Sequence, residues 1–307
     1  MKRPKTKTTA RTVISVLVVL VLAATAASAA SASQLIDRNA THVTLTVNGK
    51  KEALVQYMSG GVMHHVLAWD AINAVPPTRG RTQVAFKLDY SGGYGKYHQK
   101  LYWQTSFDGG CPTYDGPALP DVVAECKAPD GTYWALQSWQ RELPDYGVAP
   151  TAKQSVSELR LSHWKGPIPV LTITQDWSYR KYDQLFGTYT YGGIGVYGFK
   201  STSSGEPLDS FGRNIYVDTL DSAYGQGWKR ENSFLTHGPK GSFCYGFYPH
   251  GSHPAGRGTE YRAMAEGPGV APDVMWQGAA PGSYDQAADA SANAAIKALA
   301  DPKCKAN

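Results

Sequence analysis

Tyr224 and Trp228, followed at once by Arg230, Glu231 and Asn232, put two flat rings and three hydrogen-bonding side chains into one glycine-rich stretch, "DSAYGQGWKRENSFLTH". Rings of this kind offer contact area at small entropic cost, and Arg, Glu and Asn can bond hydroxyl groups in pairs. A polar, ring-shaped ligand such as a sugar needs both. The competing use of the same rings is packing inside a β core. A second cluster lies in "VLTITQDWSYRKYDQLFG", where Asp176 and Asp183 flank Trp177, Tyr179 and Tyr182. Two carboxylates on either side of a sugar ring are what glycosidic cleavage requires. No E-x-D-x-E spacing accompanies them, so a solvated loop is the plainer expectation. Trp177, Tyr179, Tyr182, Tyr224, Trp228 and Arg230 are the residues expected to line a binding face, and no catalytic residue is assigned.

The histidines carry less. His250 and His253 stand three apart in "YPHGSHPAG". Two imidazoles can share a metal ion, but a catalytic zinc needs a third ligand, for which His237 is the nearest by sequence. Two solvated loop histidines are the expectation. In "VMHHVLAWDA", alternation along a strand sends His64 and His65 to opposite faces, His64 on the side of Asp70. A histidine oriented by a carboxylate is half of a nucleophile–base pair, yet no G-x-S-x-G elbow supplies the nucleophile. Phosphate-cradling G-x-x-x-x-G-K and dinucleotide G-x-G-x-x-G motifs are missing too. No cofactor and no metal are therefore expected.

The elements that must position these residues read as short strands. Gly (32) and Tyr (19) are abundant, and helical periodicity is missing until the end of the chain. "HVTLTVNGKKEALVQY" reads as a hairpin about Asn48-Gly49. "VMHHVLAWDA" and "GTYWALQSW" read as strands, and "TQVAFKLDYSGGYGKYHQKLYWQTSF" as two strands about Gly92-Gly93. "SELRLSHWKGPIPVLTITQDW" reads as strand, turn, strand, and "LFGTYTYGGIGVYGFKS" as a hairpin about Gly192-Gly193. "RNIYVDTL", "SFLTH", "SFCYGFY" and "EYRAMAEG" supply further strands. The alanine-rich "GSYDQAADASANAAIKALADPKC" reads as a helix. Ser283 and Gln286 stand at capping-box spacing, Pro302 stops it, and Tyr284, Ala288, Ala292, Ala295 and Leu299 form a narrow stripe for docking on the β-domain.

The first residues bear on location. Lys2, Arg3, Lys5, Lys7 and Arg11 precede an apolar run, Val13–Ala24, of about twelve residues, short of the roughly twenty a membrane span needs. Small residues at Ala27-Ser28-Ala29 and Ala30-Ser31-Ala32 follow. Together these read as a Sec-type secretory signal over residues 1–32. Those five basic residues account for the whole net charge of +5, so removing them leaves a neutral chain with 25 basic and 25 acidic groups. A neutral chain lacks the basic stripe that holds nucleic acid or anionic lipid. The four cysteines are even in number, as in an oxidising compartment, and the expected staples are Cys111–Cys126 and Cys244–Cys304.

The expected fold is all-β: an antiparallel β-sandwich, one large or two small, with a short C-terminal α-helix. The expected divisions are 36–150, 155–277 after the proline-bearing "RELPDYGVAPTAKQ", and a helix and tethered tail at 281–304. The expected role is a secreted, disulfide-stabilised glycan-binding module of the cell envelope or extracellular space, its partner a polysaccharide. The alternatives are an exported glycosidase-like hydrolase, using Asp176 with Asp183 or His64 with Asp70, and a structural or protein-interaction role.

Overall fold

The computed structural model of the chain describes residues 33–73, 84–140, 156–178, 182–196, 215–222, 225–229, 233–237, 240–247, 258–280 and 285–300. Every strand pairing in it is antiparallel, in four sheets.

Two of the sheets enclose the first core. One holds β2 (Thr41–Val47), β3 (Ala53–Ser59), β4 (Val62–Trp69) and β5 (Lys87–Asp89) in that order. The other runs β1 (Gln34–Arg38), β8 (Ser157–Trp164), β7 (Tyr133–Gln140) and β6 (Val122–Lys127). Alternation decides which residues turn inward. Leu45, Val47, Ala53, Val55, Val66 and Ala68 from the first sheet meet Trp134, Leu136, Leu159 and Leu161 from the second. The Cys111–Cys126 disulfide, Cα atoms 5.3 Å apart, staples the loop before β6 to that strand. β8 lies beyond the proline-bearing stretch 141–155, so this sheet draws a strand from its far side.

The second core lies between two further sheets. One is built on β10 (Tyr182–Tyr191), flanked by β9 (Val170–Ser178) and by β15 (Ser242–Phe247), with β14 (Ser233–His237) and β11 (Ile194–Gly195) completing it. The other runs β13 (Gly225–Lys229), β12 (Ile215–Ser222), β16 (Glu260–Ala265) and β17 (Val274–Ala279). Leu185, Tyr189 and Phe243 pack there against Ile215, Val217, Tyr261 and Ala263. Gly192 and Gly193, at φ 57° and 77°, form the two-residue turn between β10 and β11 that the sequence implies. Phe186 and Cys244 point the other way, and the C-terminal helix (Gln286–Ala298) covers them with Ala292 and Ile296. Cys244 is itself disulfide-bonded, and its expected partner Cys304 lies outside the described residues.

The sandwiches meet along a polar seam. The outward residues Gln137, Trp139, Glu158, Arg160 and Ser162 of β7 and β8 are all buried. Trp139 packs edge-on against Tyr216 of β12, ring centres 5.7 Å apart, beside Met264. Among the described residues, two ion pairs lie buried, Arg160–Glu158 at 2.6 Å and Arg262–Asp218 at 2.8 Å. The loop joining β16 to β17 crosses over: Val270 enters the first core, and Gln137 exchanges two hydrogen bonds with the backbone of Asp273 at 2.9 and 3.0 Å.

Several local expectations change. Asn48-Gly49 is not a two-residue turn. The Asn48 carbonyl oxygen of the side chain accepts from the backbone N–H of Lys50 and Glu52 at 2.9 and 3.1 Å, and Lys51 takes the positive φ, giving a five-residue loop. The stretch after β5 folds as two one-turn helices, α1 (Tyr94–Tyr97) and α2 (Tyr102–Thr105), instead of a strand. The helix at 286–298, α3, is capped by Asp285, which accepts from Ala287 and Ala288 N–H; Ser283, Tyr284 and Pro302 lie outside the described residues. Ile296 fills the place expected of Ala295, which is exposed. β8 and β9 are strands as expected but belong to different sheets. Residues 225–229 form an edge strand and not a loop, and Asp176 and Asp183, expected on a solvated loop, lie on the paired strands β9 and β10.

Candidate functional site

Among the described residues, the densest meeting of charge and aromatic rings stands on the outer face of the β2–β5 sheet. Alternation turns Val55 and Val66 into the core and leaves Glu52, Leu54, His65, Leu67 and Trp69 on the other side. That face is not left to solvent: Leu54 and Leu67 are buried. The segment after β5 covers it. Asp89 starts the cover by accepting from the N–H of Ser91 and Lys96 at 2.9 and 3.0 Å, and Ser91 Oγ accepts from Gly95 N–H at 2.8 Å. Gly93, at φ 102°, turns the chain so tightly over Tyr102 that a Cβ there would lie 2.5 Å from the ring. This close approach is why no side chain fits.

Glu52 is the centre of the arrangement and is 1 % exposed. Four donors converge on its carboxylate: Lys96 Nζ at 2.7 Å, Tyr102 OH at 2.7 Å, Asn48 Nδ2 at 2.9 Å and Tyr97 OH. Tyr97 and Tyr102 stack on each other, centroids 4.2 Å apart. Lys50 Nζ donates to Tyr102 OH at 3.2 Å. The Lys96 ammonium lies 4.1 Å from the centre of the Trp69 ring, and His65 stacks on Trp103 at 3.8 Å. A cation held between a carboxylate and an indole face gains from both.

Burial by itself raises the Glu52 carboxyl, but the bonds from Lys96, Tyr97, Asn48 and Tyr102 outweigh it and bring the group down to about 2. Burial and the neighbouring Glu52 charge raise both Tyr97 and Tyr102. Burial, with the charge of His64 second, lowers His65. Glu52 is thus an ionised carboxylate with its lone pairs taken, and the phenols beside it keep their protons. Such a group cannot serve as general acid, and the cluster holds no activated nucleophile. What it does is fix rings. Around it, Tyr94 (49 % exposed), Tyr97 (37 %) and Leu101 (55 %) are open to solvent, and Tyr94 touches only the edge of His98 among the rings described. Lys50 and Lys100, both exposed, add positive charge to this surface, while Lys96 is paired with Glu52.

The residues named from sequence fall elsewhere. Trp228 sits on edge strand β13, half-buried, with the Arg262 guanidinium 4.5 Å above its ring. Tyr179, Tyr224 and Arg230 lie outside the described residues, as do the side chains of Trp177 and Tyr182. In the β9–β10 ladder Asp183 is opposite Trp177 and Asp176 opposite Gln184, so the two aspartates occupy adjacent rungs and not one rung. His64 and Asp70 do not form a pair. His64 stacks on Tyr57 at 5.0 Å, while Asp70 pairs with Lys87 at 2.7 Å because the chain leaves the strand at Asp70 with φ 64°. His250 and His253 lie outside the described residues, among which no group of three or more His, Cys, Asp or Glu is gathered as a metal needs. Sequence reasoning missed Glu52 because its partners Lys96, Tyr97 and Tyr102 come 44 to 50 positions later. The available signal was the crowding of Tyr, Trp and Lys in "YGKYHQKLYW". Compared with known protein families, with curated proteins and with solved structures, the chain finds no match in any of the three.

Proposed function

We propose that this all-β, disulfide-stapled protein is exported and binds extracellular polysaccharide, with its binding surface on the aromatic cover of the β2–β5 sheet. One observation carries the reading. Tyr94 and Tyr97 are exposed on a segment whose geometry is set from below by the Glu52 hydrogen bonds and by the Trp69–Lys96 and His65–Trp103 contacts. Rings held still before the ligand arrives lose little entropy on binding. The ammonium groups of Lys50 and Lys100, beyond the Lys96–Glu52 pair, favour an acidic polymer over a neutral one. The export half of the reading is supported by the Cys111–Cys126 bond, by the leader-like first 32 residues, and by the fact that no described helix is long and apolar enough to cross a membrane.

The residues named from sequence, Trp177, Tyr179, Tyr182, Tyr224, Trp228 and Arg230, are proposed as a second contact surface. The Arg262–Trp228 stacking favours it, because a guanidinium behind an indole leaves the other ring face for a ligand. Retention of the purified protein on insoluble neutral and acidic polysaccharides tests both surfaces. Tyr94→Ala is expected to cut retention at least fivefold with the melting temperature unchanged, since an exposed ring leaves no cavity. Trp228→Ala reports on the second surface by the same pair of measurements. Wild-type retention that survives both substitutions, or no retention on any polymer, overturns the reading. Cleavage of a bound polymer would instead favour the hydrolase.

A further inference from the structure

The outer face of the β2–β5 sheet continues past the Glu52 cluster toward the turn between β3 and β4. The alternation that turns Glu52, Leu54 and His65 outward turns Met58 and Met63 outward too. These two methionines stand directly opposite each other, next to the pair that closes the Gly60-Gly61 turn, and on the following outward rung Gln56 stands opposite His65. Facing residues on one side of a sheet have their Cβ atoms about 4.5–5.5 Å apart, and His65 lies on the diagonal from Met58 at about 7–8 Å. Met63 is 46 % exposed and Met58 is half-buried. Met264 and Met275 pack at the seam, so core filling accounts for those two and not for this pair. His65 completes the group. Its ring stacks on Trp103, and Gly92 presses on both: a Cβ there would lie 2.7 Å from Trp103 Cδ1 and 3.2 Å from His65 Cβ. The imidazole is thereby held in one orientation, and among the described residues neither of its nitrogens meets a hydrogen-bond partner. Burial, with the His64 charge second, lowers its proton affinity, so the ring is neutral and keeps a lone pair for a ligand.

We infer that Met58, Met63 and His65 form a copper(I) site, two thioethers and one imidazole converging from the two strands of one hairpin. Soft thioether sulfur selects Cu(I) over zinc, calcium or magnesium, and imidazole suits copper as well. Three neutral donors also suit a singly charged ion, which needs no carboxylate to offset it. Thiolates are the usual soft alternative, but where cysteines oxidise they are consumed in pairs, as Cys111 and Cys126 are. Thioethers do not pair in this way. The reach fits, because the methionine side chain is unbranched and flexible and can swing its sulfur to an ion while the hairpin and the stacked imidazole stay fixed. The exposure of Met63 leaves the ion open to solvent on one side. The site therefore takes up and hands on Cu(I) instead of enclosing it, and no electron moves, since the ion enters and leaves in the same oxidation state. Trp103 is a positioning residue here: it holds the His65 ring and sets an indole beside the ion. The site is independent of the polysaccharide reading and uses the opposite end of the same sheet face.

The test titrates the purified protein with Cu(I) held by the coloured chelator bicinchoninate, reading tryptophan fluorescence in parallel. Ascorbate keeps the copper reduced and leaves the disulfides intact, so that no free thiol competes. The wild type is expected to withdraw one Cu(I) per chain from the chelator, with quenching of tryptophan emission. Met58→Leu and Met63→Leu conserve side-chain volume and are expected to melt with the wild type. Each is expected to weaken Cu(I) binding roughly tenfold or more, and the double substitution to abolish it. His65→Phe keeps a ring on Trp103 but removes the nitrogen, and is expected to weaken binding by a similar factor. Should one variant melt lower, the other two decide. Excess zinc is expected to displace none of the bound Cu(I). A wild type that takes no Cu(I) from the chelator overturns the site. Undiminished binding in both leucine variants overturns it as well, because the ion would then sit on histidines elsewhere in the chain, and so does displacement by zinc.

Discussion

His163 shows how one side chain ties pH to stability. It is 1 % exposed, lies flat on Trp134 with centroids 3.6 Å apart, and bonds Thr132 Oγ1 at 2.9 Å and the Asp70 carbonyl at 3.0 Å. Burial, only partly offset by the Asp70 carbonyl and the Asp130 charge, pushes the imidazole down to about 4. The unfolded chain takes a proton near the ordinary 6.5, so between about 6.5 and 4 the unfolded state binds more protons than the folded one. Stability is therefore complete above that window and falls as pH drops through it, by about 3 kcal/mol in all. Glu52, lowered from 4.5 to about 2, is the opposite ionic case with the same outcome: its stabilisation is present above 4.5 and is lost as pH falls toward 2. Urea midpoints at pH 7, 5.5 and 4 are expected to decline for the wild type and to lose most of that decline in His163→Asn. Neither residue was legible as special in the sequence. His163 looks like any polar position of an alternating strand, and Glu52 like a solvated residue after two lysines, because burial here comes from chain that arrives dozens of positions away.

At the scale of elements, patterns with a local cause were readable and those with a remote cause were not. The Gly192-Gly193 turn, the strands with clear alternation and the closing helix each follow from neighbours in sequence. The helix start shows the limit of that reading. Ser283 has capping-box spacing, yet Asp285 bonds two N–H groups at 2.7 and 2.9 Å, and its negative charge suits the helix N-terminus. Asp285→Ala is expected to cost about 1 kcal/mol, seen as a lower melting temperature, with a smaller effect if Ser283 takes over the cap. The sequence predicts a strand on each side of a Gly92-Gly93 turn, whereas the shape of the cover at 90–105 is dictated by Asp89, two left-handed glycines and the apolar face of Leu54 and Leu67 beneath it. β13 and β17 escaped notice because glycine interrupts their alternation; they are strands by virtue of β12 and β16 beside them.

For the molecule as a whole, composition and alternation were enough for an all-β chain of sandwiches with a docked helix, and the even cysteine count for the Cys111–Cys126 staple. What they could not convey is that the outer faces of two sheets meet. Glu158, Arg160, Asp218 and Arg262 read as solvent-facing charges, and only their mutual pairing makes them buried ones. The same limit applies to the candidate site: ring-rich segments are legible in the sequence, but the charged foundation that Glu52 sets beneath one of them is not.

Val270 adds a matter of timing. It sits in the core of the first sandwich, and its carbonyl accepts from His163 N–H at 3.0 Å, although it belongs to the loop after β16. A chain made from its N-terminus delivers all of β1–β8 before the residue that closes their core. At synthesis rates of about 5–20 residues per second, the first half waits roughly 5–20 s with that gap open. The order of emergence and the order of completion are thus opposed, and the early half stands with its core unclosed until the late half arrives. A chain halted at Gly258 is expected to be cut by added protease within β1–β8 at concentrations the full-length protein withstands; equal resistance of the two would show that the first sandwich closes without Val270.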